Sequence, residues 1–202
     1  MNSGSLYHFF PTKEALLVGV LERYVQNLRP IVMDPIERQT ADPIERVFAL
    51  LGWYRGLMQM TGCKLGCPIG NLALELADNH PDVRRLTDLN FTNWVKSVQQ
   101  WLIDAGDRLP RDVDRFELSQ MVLNTMEGGI MQARSRADLS PFDAAVKQLR
   151  HYFELLQRDA QPARTESPQP AQAKSSSSKP RDRARGAAKR KKSNSSGKRS
   201  RR

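Results

Sequence analysis

Ser3-Gly4-Ser5-Leu6-Tyr7-His8-Phe9-Phe10-Pro11-Thr12-Lys13-Glu14-Ala15-Leu16-Leu17 is the stretch on which the reading of this chain turns. It spells a very short helix, a tight turn at Pro11, and a longer helix that Thr12 caps and Lys13 begins. Small residues at Ser3, Gly4 and Ser5 let a backbone approach closely. Tyr7, His8 and Lys13 offer donors suited to phosphate, while Leu6, Phe9 and Phe10 supply an apolar anchor. A recognition helix in a helix-turn-helix unit has this layout, with backbone-directed donors beside a face that reads base edges. Taken singly, the same residues also describe a plain helical hairpin with an aromatic core.

Outward from that stretch the chain continues as helices. Leu16, Leu17, Val20, Leu21, Tyr24, Val25 and Leu28 recur with the 3.6-residue period until Pro30, where the helix is expected to end. Asp42-Pro43 sets a second cap, followed by Ile44, Val47, Phe48, Leu51, Tyr54, Leu57 and Met58 on one face. A Gly-rich break at Gly62, Gly66 and Gly70 leads to a short helix through Ile69, Leu72, Ala73 and Leu76. Long helices are then expected over residues 83–105 and 115–136, and a last one starts at Ser140-Pro141 with Ser140 as its cap. No stretch alternates with period two, so the class is all-α.

Charge divides the chain. The net charge of +10 is uneven: residues 161–202 hold 14 Lys and Arg against two acids, Glu166 and Asp182. Taken from totals of 32 and 22, this leaves 18 basic and 20 acidic residues in the body. The tail, 159–202 in the domain reading, has almost no apolar side chains after residue 160, so ordering it gains little against backbone entropy. It is expected to be disordered, and Lys189-Arg190-Lys191-Lys192 and Lys198-Arg199-Ser200-Arg201-Arg202 suit non-specific contact with phosphate backbones or simple solvation. No signal peptide and no membrane span are expected, which places the protein in the cytoplasm.

The opening stretch resembles the signature of the tetracycline-repressor (TetR) family, small-x-Leu-Tyr-x-x-Phe-x-x-Lys-x-x-Leu-Leu. The resemblance implies that Ser3, Gly4 and Ser5 face base edges and that Tyr7 and Lys13, with His8 beside them, grip phosphates. Members carry two further helices ahead of this segment. The expectation is therefore that the natural start lies upstream of Met1 and that specific operator binding needs that part. Cys67-Pro68-Ile69-Gly70, with Glu75 further on, is similar to a Cys-x-x-Gly-x-x-x-x-Glu stretch of one branch. Glu127-Gly128-Gly129 with Ala133-Arg134 is similar to the family's penultimate helix. In all, the resemblance covers residues 3–157.

The organisation implied is a truncated helix-turn-helix at residues 1–33, a ligand-binding and dimerisation domain at 42–158, and the tail. Gly128 and Gly129 would permit close helix approach, and the last two helices would form a four-helix bundle with a second subunit. A small hydrophobic or aromatic effector would sit among Trp53, Tyr54, Leu57, Met58, Trp94, Val98, Trp101 and Met126; the alternative is that these are core. The function implied is a homodimeric DNA-binding repressor released from its operator by that effector. The alternative is a dimeric small-molecule- or redox-sensing module that does not bind operator DNA specifically.

Chemistry beyond binding finds little footing. Cys63 and Cys67 are read as buried structural thiols, with redox sensing as the alternative; with three His in the chain, a four-ligand zinc site is not expected. His8, His80 and His151 stand in unrelated contexts, and Gly62-x-x-x-Gly66 lacks the ending of a phosphate loop. No cofactor and no enzymatic activity are expected.

Overall fold

The structure, a computed structural model, describes residues 9–160. The described residues hold helices and turns and no strand. None of these helices is long and apolar enough to cross a membrane. Residues 1–8 and 161–202, with the expectations that fall on them, lie outside the described residues; Asp159, expected to open the disordered tail, is instead the last residue of a helix.

Helix α1 covers Lys13–Asn27, and Thr12 caps it as its sequence suggests, its hydroxyl accepting from Ala15 N at 3.0 Å. The helix does not stop at Pro30. It widens into a π-helical turn, Leu28–Met33, and runs on as α2, Asp34–Gln39. Proline lacks the N–H that an α-helix needs at this place, and its ring crowds the carbonyl four residues back. Five-residue spacing relieves that crowding: Asp34 N–H bonds to Arg29 O. Arg29 then clamps the join, its guanidinium reaching Asp34 at 2.9 Å and Glu37 at 2.9 Å.

Helix α3 is Pro43–Met60, capped by Asp42, which accepts from Ile44 N and Glu45 N. It ends where Gly62 and Cys63 both take left-handed backbone (φ 56 and 59) and Cys63 N returns to Met58 O at 2.8 Å. Glycine fits that conformation readily; Cys63 adopts it at a steric cost. The short α4, Pro68–Leu76, follows, then α5, Pro81–Asp104, and α6, Arg115–Arg136. The last helix, α7, is Ser140–Asp159. Ser140 is its first residue rather than its cap; Asp138 accepts instead from both the backbone N–H and the hydroxyl of Ser140.

Helix α5 is the hub, packing against α1, α3, α4 and α6, while α6 and α7 lie against each other. Trp101, Phe142 and Phe153 are the largest fully buried side chains. Phe153 meets Phe48 edge to face at 5.4 Å, and the Arg150 guanidinium lies 3.8 Å over the Phe48 ring. Asn90, buried on α5, donates to Leu21 O of α1 at 3.2 Å, which fixes α1 against the hub.

Ion pairs tie the outer seams: Arg55 to Asp143 at 2.7 and 2.9 Å, and Arg108 to Asp42 at 2.8 and 3.0 Å. Each guanidinium holds its aspartate below the usual carboxylate range. Because the folded pKa is the lower one, the stabilisation is present above the ordinary Asp value of about 3.9 and fades as pH falls through the folded pKa. These pairs are partly exposed, so each contributes less than about 1 kcal/mol. An Arg55→Met, Arg108→Met double variant should melt a few degrees lower at pH 7, a gap that narrows below about pH 4. A gap that stayed constant down to pH 3 would show that the pairs add nothing.

Candidate ligand cavity

Where α5 crosses α3 and α6, the helices leave a cavity of about 260 Å³ that opens to solvent past Tyr24, Ile31 and Leu57. Its walls come from α1 and the π turn (Tyr24, Asn27, Leu28, Ile31, Val32), α3 (Trp53, Tyr54, Leu57), the start of α4, α5 (Asn90, Phe91, Trp94) and α6 (Leu123, Met126, Glu127). Trp53 and Tyr54 stand edge to face at 5.0 Å. Clefts for drug-sized ligands run from roughly 300 to 1,000 Å³, so this one suits a smaller molecule. A wider groove of about 750 Å³ lies beyond it and shares Cys67, Phe91, Leu123 and Glu127 as a common wall. Arg134 crosses that groove to Asn71 at 2.8 Å.

Trp53, Tyr54, Leu57, Trp94 and Met126 of the expected ligand set line the inner cavity. Met58, Val98 and Trp101 do not. Val98 is wholly buried in the core, and Met58 sits under the turn that closes α3. The Trp101 indole points to α2, donating from Nε1 to Glu37 Oε1 at 3.0 Å. Ile31 and Val32 are absent from the expected wall because Pro30 reads as a helix stop, and Tyr24, Asn27 and Leu28 because periodicity does not say what packs against α1. Glu127 is absent from it too, although an acid between Met126 and Gly129 on an apolar helix face is a usable signal.

The polar groups in the wall are few and poorly partnered. Trp94 is 3% exposed and its Nε1, beside the Tyr54 hydroxyl, makes no hydrogen bond of good geometry. Glu127 Oε1 is likewise buried without a partner. Burial raises the Glu127 pKa, and burial, with the Cys67 sulfur and Glu127 charge near it, raises that of Tyr54.

Cys63 and Cys67 are both reduced and buried. Cys67 Sγ caps α4 by accepting from Gly70 N at 3.4 Å. Burial first, and the Glu127 carboxyl second, push its thiol up to about 12. A thiol held protonated and covered is a weak nucleophile. Redox sensing at Cys67 therefore finds no support in this geometry, and the residue serves as a cap and as part of the cavity wall.

Of the expected DNA contacts, Ser3, Gly4, Ser5, Tyr7 and His8 lie outside the described residues. Lys13 is exposed on the first turn of α1. Phe9 is 69% exposed, whereas the Phe10 ring folds back onto Gly19, where a Cβ would lie 2.7 Å from it. Glu14, next to Lys13, meets His80 Nδ1 at 3.0 Å and so connects the start of α1 to the start of α5.

Comparison with known proteins agrees with this architecture. Residues 43–148, just over half of the chain, match the family model described as the transcriptional regulator LmrA/YxaF-like C-terminal domain. An HTH-type transcriptional regulator of Mycobacterium tuberculosis is 29% identical over 155 residues, covering 73% of this chain and 75% of that protein. The HTH-type transcriptional repressor DhaR of Mycobacterium sp. strain GP1 is 25% identical over 69% of this chain and 70% of its own. The regulator YxaF of Bacillus subtilis is 24% identical over 72% and 75%. In fold, the chain is similar to the regulatory protein TetR from Rhodobacter sphaeroides (TM-score 0.69, 22% identity, 75% of this chain and 82% of that one). It is also similar to a TetR-family regulator from Agrobacterium tumefaciens (TM-score 0.66, 20% identity, 77% and 80%). With its helical body matched over that length, this chain belongs to the TetR family of transcriptional regulators, with a C-terminal domain of the LmrA/YxaF-like kind.

Proposed function

We propose that the protein is a cytoplasmic, homodimeric DNA-binding repressor that a small hydrophobic molecule releases from its operator. One observation carries this reading: the helix that starts at Lys13 continues, through its π turn, as a wall of the ligand cavity. Lys13 and Tyr24 are separated by about 16 Å of helix at 1.5 Å per residue, so a ligand against Tyr24, Leu28 or Ile31 pushes on the element that begins beside the DNA-reading segment. The ligand shifts the population towards the conformation whose two recognition helices no longer match half-sites one DNA turn apart. That DhaR is named a repressor supports the direction of control.

The dimer would form through α6 and α7. Met121, Met131, Tyr152 and Leu155 stand exposed on those helices, an apolar surface that a second copy would cover. The basic tail would add salt-sensitive, sequence-independent affinity.

The test is footprinting on the DNA flanking the gene, with a form that carries the two helices expected ahead of this segment, either otherwise unaltered or with Tyr7→Phe or Lys13→Ala. Loss of the Lys13 charge should weaken binding several-fold and reduce the salt slope by about one phosphate contact. Protection that is unchanged in both variants removes the assignment of these contacts. No protected site at all favours a sensing module that meets nucleic acid only through its tail.

A further inference from the structure

Among the described residues, two buried side-chain N or O atoms have no hydrogen-bond partner: Trp94 Nε1 and Glu127 Oε1. Both residues line the same inner cavity, one from α5 and the other from α6. Buried polar atoms are nearly always satisfied, and one left without a partner marks a strain, a role, or a missing molecule. Here the indole N–H has only the Tyr54 hydroxyl beside it, at poor geometry, and Glu127 Oε1 is an acceptor without a donor. A single ligand that carries both functions would complete the pair. The carboxyl also lies against the start of α4: a Cβ on Gly70 would fall 2.7 Å from Glu127 Oε2, so a larger residue there would displace it.

The remaining wall narrows the class. Trp53, Leu57, Leu28, Ile31, Leu123 and Met126 are apolar, and no Lys, Arg or His stands among the lining residues. An anionic ligand would find no counter-charge and would face Glu127. We propose that the inner cavity recognises a small, uncharged, mainly apolar alcohol or phenol by accepting its O–H at Glu127 Oε1 and donating to its oxygen functions from Trp94 Nε1. This rests on the effector reading above and names the chemistry of the molecule.

The experiment uses three probes of one shape on the purified protein, followed by tryptophan fluorescence and calorimetry. They are p-cresol, 4-methylanisole, which lacks the O–H, and 4-methylbenzoate, which is anionic. p-Cresol should bind about tenfold or more tightly than 4-methylanisole, the scale of one buried hydrogen bond to a charged group. 4-Methylbenzoate should bind weakest. Glu127→Leu should bring p-cresol down to the affinity of 4-methylanisole, whereas Trp94→Phe should weaken both, since both present an oxygen to the indole. Glu127→Gln, which keeps an oxygen in place, serves if the leucine variant does not fold, and should show a smaller loss for p-cresol.

Equal affinity for p-cresol and 4-methylanisole overturns the proposal, and so does preference for the benzoate or failure of all three to bind. An internal water that satisfies both atoms would produce the first of these results. The effector reading fails by a different result: an operator complex that stays intact when the cavity is filled, whichever probe fills it.

Discussion

Replacing Trp101 with alanine is expected to destabilise the protein by about 3–5 kcal/mol, the usual cost of emptying a large buried aromatic site. Folded domains are stable by only about 5–15 kcal/mol, so much of the margin would go. For a protein of this size the thermal midpoint should fall by about 6–20 °C. The reason is position. Trp101 is 1% exposed near the end of α5, and its N–H bond to Glu37 fastens the hub helix to α2. Phenylalanine keeps most of the ring volume and loses the N–H. Because Glu37 also holds Arg29 and is partly open to water, Trp101→Phe should cost about 1 kcal/mol. The same variant should leave p-cresol affinity unchanged, in contrast to Trp94→Phe. Equal loss in both would return Trp101 to the cavity wall, and an alanine variant melting within 2 °C of the parent would remove it from the core.

That contrast explains what the sequence could and could not tell. Trp94 and Trp101 are seven residues apart, so helical periodicity puts them on one face of α5. Their heights differ by about 10 Å at 1.5 Å per residue, and periodicity carries no information about height. At the level of Trp94 the neighbouring helices stand apart and leave a void; at the level of Trp101, α2 fills the space. Val98, between them, falls into solid core. The face was legible and the cavity was not.

Local signals are more legible in the sequence than those that depend on what packs nearby. Thr12 and Asp42 cap their helices because a short side chain with an oxygen, just before the first turn, has only local N–H groups to satisfy. The bounds of α6 follow from the apolar period and from Asp114, which caps it. Pro30 misled because a proline stops an α-helix only if the chain has somewhere better to go. Here Val32, Met33 and Ile36 are buried against the core, and continuing with a π turn keeps them there. The consequence is functional, since that continuation brings the helix beginning at Lys13 into the cavity wall.

Gly128 and Gly129 share one sequence context and should respond in opposite ways. A Cβ on Gly129 would lie 2.9 Å from Phe142 Cδ2 and 3.3 Å from Phe142 Cα, and the second of these is backbone that cannot swing aside. Gly129→Val should therefore force α6 and α7 apart at a cost of about 1–3 kcal/mol or more, beyond the helix-propensity gain of under about 1 kcal/mol on leaving glycine. A Cβ on Gly128 meets nothing within 4 Å, as at Gly52 on α3. In a lone subunit both Gly128→Ala and Gly52→Ala should raise the melting point slightly, by relieving the entropy that glycine loses in a helix. Gly128, however, borders the open groove with Tyr152 and Gln148 on the face assigned to the dimer. Gly128→Arg should then convert the dimer to monomer in sedimentation while the helical signal persists, whereas Gly52→Arg should leave the dimer intact. If Gly128→Arg sediments as the parent does, the second subunit docks elsewhere; if Gly129→Val melts higher than the parent, the α6–α7 contact is not the tight one that its geometry describes.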